Sequence, residues 1–286
     1  MRYGELKNVF DAIENALSQL SIDYYLIGAL ARQIWYDRAK LNCRATRDVD
    51  YAVLVGTIEQ YQALKDYLVQ HSGFIAGTQN QFVLISPDKF QIDLLPFGEI
   101  ESAGEVVVER TGMISIKVDG MREVYDSGAE FVHLETGHTF KAATLPGIVL
   151  LKLISYDDRE ELRQKDAQDI GNILDNFFEL YEDKIYANHH DLFENERSLE
   201  NISAIVLGRE INRIASNNKK LIARLYQILS RHCELAEKSA FVRFISAELG
   251  KEIELTTTLL KDIAWGTQNP AILPPNWDQE EDRASD

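Results

Sequence analysis

The chain is predicted to fold as an α/β domain followed by a mainly helical domain. Helical and strand patterns alternate up to about residue 144. Beyond Thr144 the pattern becomes almost wholly helical. Within the alternating half lies the apolar stretch Val49–Val55, which reads as a strand buried on both faces and is headed by closely spaced aspartates.

The N-terminal segment places Leu6, Val9, Phe10, Ile13, Leu17 and Leu20 at helical spacing, predicting a helix over 5–20. Acidic residues interrupt its apolar positions, so it does not read as a signal peptide. A short strand is expected around Tyr24–Ile27, then a helix over Ala29–Tyr36. Thr57 is placed to cap a helix running to about His71, with Tyr61, Leu64 and Leu68 on its apolar side. Phe82–Ser86 and Phe90–Leu95 read as two strands joined through Pro87-Asp88. Further short strands are expected near Val106–Glu109, Ile114–Val118, Phe131–Leu134 and His138–Lys141, punctuated by glycines.

Leu145-Pro146 opens a helix to about Tyr156, with proline in the first turn, where its missing N–H does no harm. Helices are then expected over 160–177, 199–216, 219–235, 239–249 and 256–264. The proline-bearing, acidic stretch from Gly266 reads as extended or disordered. The expected organisation is an α/β domain over 1–144, a helical domain over 145–265 and a tail over 266–286.

Acidic residues number 46 against 30 Lys and Arg, a net charge of −16, and neither half is basic. Such a balance argues against a protein that coats nucleic acid non-specifically, because that affinity comes from neutralising phosphates. Two local exceptions stand out. Arg38, Lys40, Arg44 and Arg47 crowd one loop, and Arg209, Arg213, Lys219, Lys220, Arg224 and Arg231 form a second basic stretch. No apolar run is long enough to span a membrane, and Cys43 and Cys233 are too few and too far apart for a disulfide framework or a metal motif. A cytoplasmic location is expected. His189-His190-Asp191 reads as an ordinary loop, since adjacent histidines diverge in direction.

The chemistry is concentrated in Arg47-Asp48-Val49-Asp50-Tyr51. Side chains two apart on a strand point the same way, so Asp48 and Asp50 project together. Carboxylates so close repel unless a cation lies between them, and a divalent metal with oxygen ligands is the usual solution. Upstream, Tyr25-Leu26-Ile27-Gly28-Ala29-Leu30-Ala31-Arg32 runs from strand through a small-residue turn into a helix, presenting backbone N–H groups suited to phosphates. Downstream, Asp93 is the one acid in the apolar strand Phe90–Leu95, an expensive placement unless it is paired or metal-bound.

This ordered set resembles the polymerase-β-type nucleotidyltransferase superfamily. The later segments Leu145-Pro-Gly-Ile-Val-Leu-Leu-Lys152-Leu, Asp158-Arg159 and Lys165-Asp166-Ala-Gln-Asp169-Ile resemble the AbiEii/AbiGii type of abortive-infection toxin within it. The resemblance covers roughly residues 20–175. It implies an α+β nucleotidyltransferase domain with a mixed sheet, and two-metal transfer of a nucleoside monophosphate from an NTP. On that reading Asp48, Asp50 and Asp93 hold Mg2+ or Mn2+, and Asp93 also accepts the proton of the attacking hydroxyl. Gly28 and Ala29 cradle phosphates, Arg32 and Arg47 lie at the nucleotide, and Lys152 neutralises its charge. Asp166 and Asp169, three apart on one helix face, complete a distal acidic element. Ala29 departs from the superfamily, which has Gly or Ser there, so a phosphate-binding hydroxyl is missing.

The implied acceptor is an RNA end, tRNA above all, with a cognate antitoxin as a further partner and no membrane. Two alternatives stand beside it: an antibiotic-type transferase acting on a cationic small molecule, which the acidic balance suits, and a catalytically silent relative that keeps the fold for binding.

Overall fold

The computed structural model describes residues 3–41, 46, 48–78, 80–102, 104–107, 115–194 and 196–271. The chain divides into two compact units, Met1–Ala167 with Ile214–Leu221, and Gln168–Arg213 with Ile222–Asp286.

In the first unit a 3-10 turn at Tyr3–Leu6 leads into α1 (Lys7–Gln19), then β1 (Asp23–Ile27) and α2 (Gly28–Arg38). Next come β2 (Asp48–Leu54), α3 (Ile58–Ser72), β3 (Ile75–Ala76), β4 (Val83–Ile85) and β5 (Gln91–Phe97). The hairpin strands β6 (Glu105–Val107) and β7 (Ser115–Lys117) precede α4 (Met121–Ser127), β8 (Ala129–His133), β9 (Thr139–Ala143) and α5 (Leu145–Asp158). Seven strands form one mixed sheet in the order β3-β4-β5-β2-β1-β9-β8, and β6 pairs with β7 in a sheet of its own. β2 runs parallel to β5 and antiparallel to β1, which is parallel to β9.

The α3 cap forms as its sequence requires: the Thr57 hydroxyl accepts from the Gln60 N–H. Thr144 does the same for Gly147 at the start of α5, with Pro146 in the first turn. The turn to helix at Thr144 lies within the first unit, because α5 packs on α2 and β9. Leu145, Ile148, Val149, Leu150, Leu153 and Ile154 are all buried, so α5 belongs to the core of the sheet domain.

Two elements escaped the sequence reading. α4 spans only seven residues, too short for helical periodicity to register, and begins after Gly120 at φ 86°. β3 has two residues and is identified only by its pairing with β4. Ile114 and the far end of the expected strand Val106–Glu109 lie outside the described residues.

The second unit is helical. α6 (Gln164–Asn188) begins in the first unit and continues here, succeeded by α7 (Leu199–Ala215), α8 (Lys219–Leu235), α9 (Ala240–Leu249) and α10 (Ile253–Gln268). α6 outlasts the expected 160–177 because Phe177, Tyr181 and Ile185 continue one face; the rings of Phe177 and Tyr181 stack 4.4 Å apart. Gly266, expected to begin an extended tail, lies inside α10. A side chain there would meet the Ile205 carbonyl at 2.2 Å, and one on Gly208 would meet the Ile263 carbonyl at 2.1 Å. The two glycines therefore let α7 and α10 cross backbone to backbone.

The step from β1 into α2 brings the backbone close under Asp50. Gly28 has φ +69°, and a Cβ there would lie 2.1 Å from Asp50 Oδ2. Both the turn and the carboxylate above it require glycine. Gly28→Ala is expected to lower unfolding stability by about 1–3 kcal/mol, combining left-handed strain with displacement of Asp50. An unchanged midpoint in urea denaturation would show that Asp50 moves aside at no cost.

Candidate active site

The site begins with strand register. Asp50 pairs with Asp93 across the parallel β2–β5 interface, and Asp48 pairs with Gln91. On its other side Asp50 is opposite Ile27, the last residue of β1 before the Gly28 turn. Residues paired in register, or two apart on one strand, share a face. Asp48, Asp50, Gln91 and Asp93 therefore form a two-by-two block on one face. The opposite face carries Val49, Tyr51, Ile92 and Leu94, all buried, while Asp48 is exposed and Asp50, Gln91 and Asp93 are half-buried.

Like charges directly opposite one another destabilise a sheet. Burial, then repulsion from Asp93, pushes the Asp50 carboxyl up to about 7. Lys152 pulls it back, and Asp48 and Asp166 add to the rise. Asp93 is raised as well, by burial first. It is eased by a hydrogen bond that Gln91 Nε2 donates to its Oδ1 at 2.9 Å, raised again by Asp48, and eased by Arg163.

Lys152 interrupts the apolar run from Leu145 to Ile154 of α5 and is mostly buried. Its Nζ donates to Asp166 Oδ1 at 2.7 Å, and Arg163 Nη1 lies 3.9 Å from Asp166 Oδ2. All of these residues belong to the first unit. Lys152 thus acts on Asp50 while bonded to a carboxylate of its own, and Asp166, in the first turn of α6, serves as its partner.

The remaining expected residues divide. Ala29 is the second residue of α2, where a helix N–H lacks an intrahelical acceptor. Arg32 lies one turn beyond Gly28 and is only 3% exposed, its guanidinium 5.9 Å from the centre of the Tyr36 ring. Arg47, like Arg44 of the same loop, lies outside the described residues. Asp169 is one turn past Asp166 on α6, half-buried, in the second unit.

The second basic stretch is open only in part: Arg213, Lys219, Lys220 and Arg231 are exposed, and Arg209 is not. Arg209 is 6% exposed and donates from Nη1 and Nη2 to the two oxygens of Asp191 at 2.8 and 2.7 Å. Its Nε donates to the Asn269 carbonyl. Arg213 pairs with Glu210 at 3.0 Å. The same network takes up His189 and Asp191 of the His-His-Asp run, with His189 buried beside Arg209 and its basicity lowered by that burial.

Sequence reasoning missed Gln91 as a functional residue and gave Arg163 no role at the site. The signal for Gln91 was its position two before Asp93 on one strand. Arg163 sits in the turn ahead of α6, where no periodicity marks it.

As a donor set the three aspartates suit a hard divalent cation, which takes carboxylate oxygens at about 2.0–2.6 Å. Adjacent strands lie about 4.8 Å apart and alternate residues about 6.7 Å apart, so the backbone of this block sets the carboxylates as neighbours. Among the described residues no group of three His, Cys, Asp or Glu side chains is gathered closely enough to hold a metal. The three acids share a face without meeting at a point, and rotation about their side-chain torsions is what convergence requires. Burial first, and repulsion among the acids after it, make Asp50 and Asp93 hold their protons more tightly than ordinary carboxylates, and the all-carboxylate donor set is of the kind a hard cation takes.

No protein-family model matches the chain, and no curated protein matches it in sequence. Among solved structures it is similar to a solution structure of the antibiotic-resistance factor ANT(2'')-Ia. The identity is 11%, covering 83% of this chain and 98% of that one, with a TM-score of 0.38. At that similarity the neighbour decides neither fold nor function, and the likeness to AbiEii/AbiGii toxins rests on sequence motifs alone.

Proposed function

We propose that the protein is a metal-dependent nucleotidyltransferase that moves a nucleoside monophosphate from an NTP to an acceptor hydroxyl. The observation that carries this reading is the register of Asp50 against Asp93, with Asp48 on the same face and the Gly28 turn directly beneath. A bound Mg2+ or Mn2+ supplies Lewis acidity and charge neutralisation at the phosphates. Asp48, Asp50 and Asp93 would hold it. Of these, Asp93 keeps a raised affinity for protons, which suits the acid that takes a proton from the attacking hydroxyl. The first-turn N–H groups of α2 face the developing phosphate charge, and the absent hydroxyl at Ala29 leaves that work to the backbone. Lys152, steadied by Asp166, adds a cation near Asp50.

For the acceptor, burial of Arg209 against Asp191 takes one cation from the stretch on which an RNA-end reading draws, while Arg213, Lys219, Lys220 and Arg231 stay exposed. With a net charge of −16, a cationic small-molecule alcohol stands beside an RNA end as the acceptor to test first. Among the described residues no helix is long and apolar enough to cross a membrane.

Incubation with each labelled NTP and Mg2+ or Mn2+, against total RNA and against a panel of polycationic alcohols, tests both levels. Label is expected on one of these two acceptor classes. Label on RNA, with affinity falling steeply as salt rises, would assign the acceptor to nucleic acid. Asp50→Asn and Asp93→Asn should each cut transfer by more than about 100-fold, since even indirect partners of metal ligands are worth 10–100-fold. Near-normal transfer by either folded variant would defeat the metal-site reading.

Stability supplies an independent check. Asp50 binds its proton more tightly in the folded state, so stability falls as pH rises from about 4 through about 7. Asp50→Asn is therefore expected to be more stable than wild type at pH 8, by up to about 4 kcal/mol, with a flatter pH profile. Paired denaturation curves at pH 5 and pH 8 measure the difference, and equal slopes for the two proteins would refute it.

A further inference from the structure

Three of the four positions in the two-by-two block are acids, and the fourth is Gln91. It is half-buried at the head of β5, directly opposite Asp48 and two residues from Asp93, to which its amide donates. The residue type at this corner decides the charge of the block. A fourth acid would add repulsion against Asp48, its register partner, and Asp93. A lysine or arginine would place a permanent cation among the aspartates and compete with any ion they hold. An aliphatic side chain would leave Asp93 Oδ1 without its donor. Glutamine orients a carboxylate without supplying charge, since its amide offers two N–H donors and is neutral at every pH.

Resting on the proposed metal site, we infer that Gln91 is the positioning residue of the block. Its amide fixes the Asp93 carboxylate through Oδ1 and keeps Oδ2 for the cation or the acceptor's proton. Its neutrality preserves the charge deficit that draws a divalent cation to the block. Gln91 itself touches neither nucleotide nor metal.

The test uses the full chain and Mn2+ alone, with binding measured by titration calorimetry or by the loss of the free-ion EPR signal. Stability is measured on the same samples by urea denaturation without metal. Gln91→Leu, which keeps bulk and removes the donor, should weaken Mn2+ binding about 10-fold, the lower end for partners that orient a ligand. Gln91→Lys discriminates more sharply. It should raise the urea midpoint, because the acids gain a cation, and weaken Mn2+ binding at least as much as Gln91→Leu. A purely structural glutamine predicts instead that stability and binding fall together in Gln91→Lys, and that result overturns the inference. Asp93→Asn separates the two levels. If it loses Mn2+ binding while both Gln91 variants bind like wild type, the role given to Gln91 is wrong and the metal site stands. If wild type and Asp93→Asn bind Mn2+ equally, or wild type binds none, the metal site fails and the inference falls with it. Should Gln91→Leu not fold, Gln91→Lys decides alone.

Discussion

Two carboxylates facing each other across adjacent parallel strands, Asp50 on β2 and Asp93 on β5, set the terms for the rest of the first unit. A sheet gains nothing from such a pair, because like charges in register destabilise it and the half-buried setting raises the penalty. The surroundings respond in several ways. Gly28 gives up its side chain so that Asp50 can lie over the β1–α2 turn. Gln91 donates to Asp93, and Lys152 brings a mostly buried ammonium to act on Asp50. These do not offset burial and repulsion together, and both acids still hold their protons more tightly than ordinary carboxylates. Keeping an incompletely compensated acidic pair at the centre of a sheet costs stability, a cost that functional sites commonly carry.

The electrostatics of the two units have opposite character. In the second unit Arg209 is closed off by both oxygens of Asp191 and by a backbone carbonyl, an arrangement that satisfies nearly every donor it has. Breaking it would leave a buried charge without compensation. That is a structural ion pair. In the first unit the surplus is negative, and Lys152 must divide its influence between Asp166, which it bonds, and Asp50, which it only attracts. The first arrangement closes on itself, and the second leaves its acids short of a full complement of partners.

Much was legible in the residues alone. The strands and helices that carry the site, β1, α2, β2, β5 and α5, are those with strong local signals: alternation or continuous apolarity, a Thr cap, a proline in a first turn. The shared face of Asp48 and Asp50 came from the period of a strand. Errors gathered where local signals are weak or describe only composition. α4 is too short to show a period, Gly266 was read as a breaker when it serves a helix crossing, and Arg209 counted as a surface charge because its partner Asp191 lies on another element.

The sequence by itself determined the α/β-then-helical order, the three aspartates as the centre of interest, and the glycine turn ahead of them, because each is encoded within a few consecutive residues. Only the tertiary structure decided that Asp93 stands opposite Asp50, that Gln91 completes their block, that Lys152 reaches Asp166, and that Arg209 is buried. Those facts depend on strand register and helix packing between segments tens of residues apart, which no local period specifies.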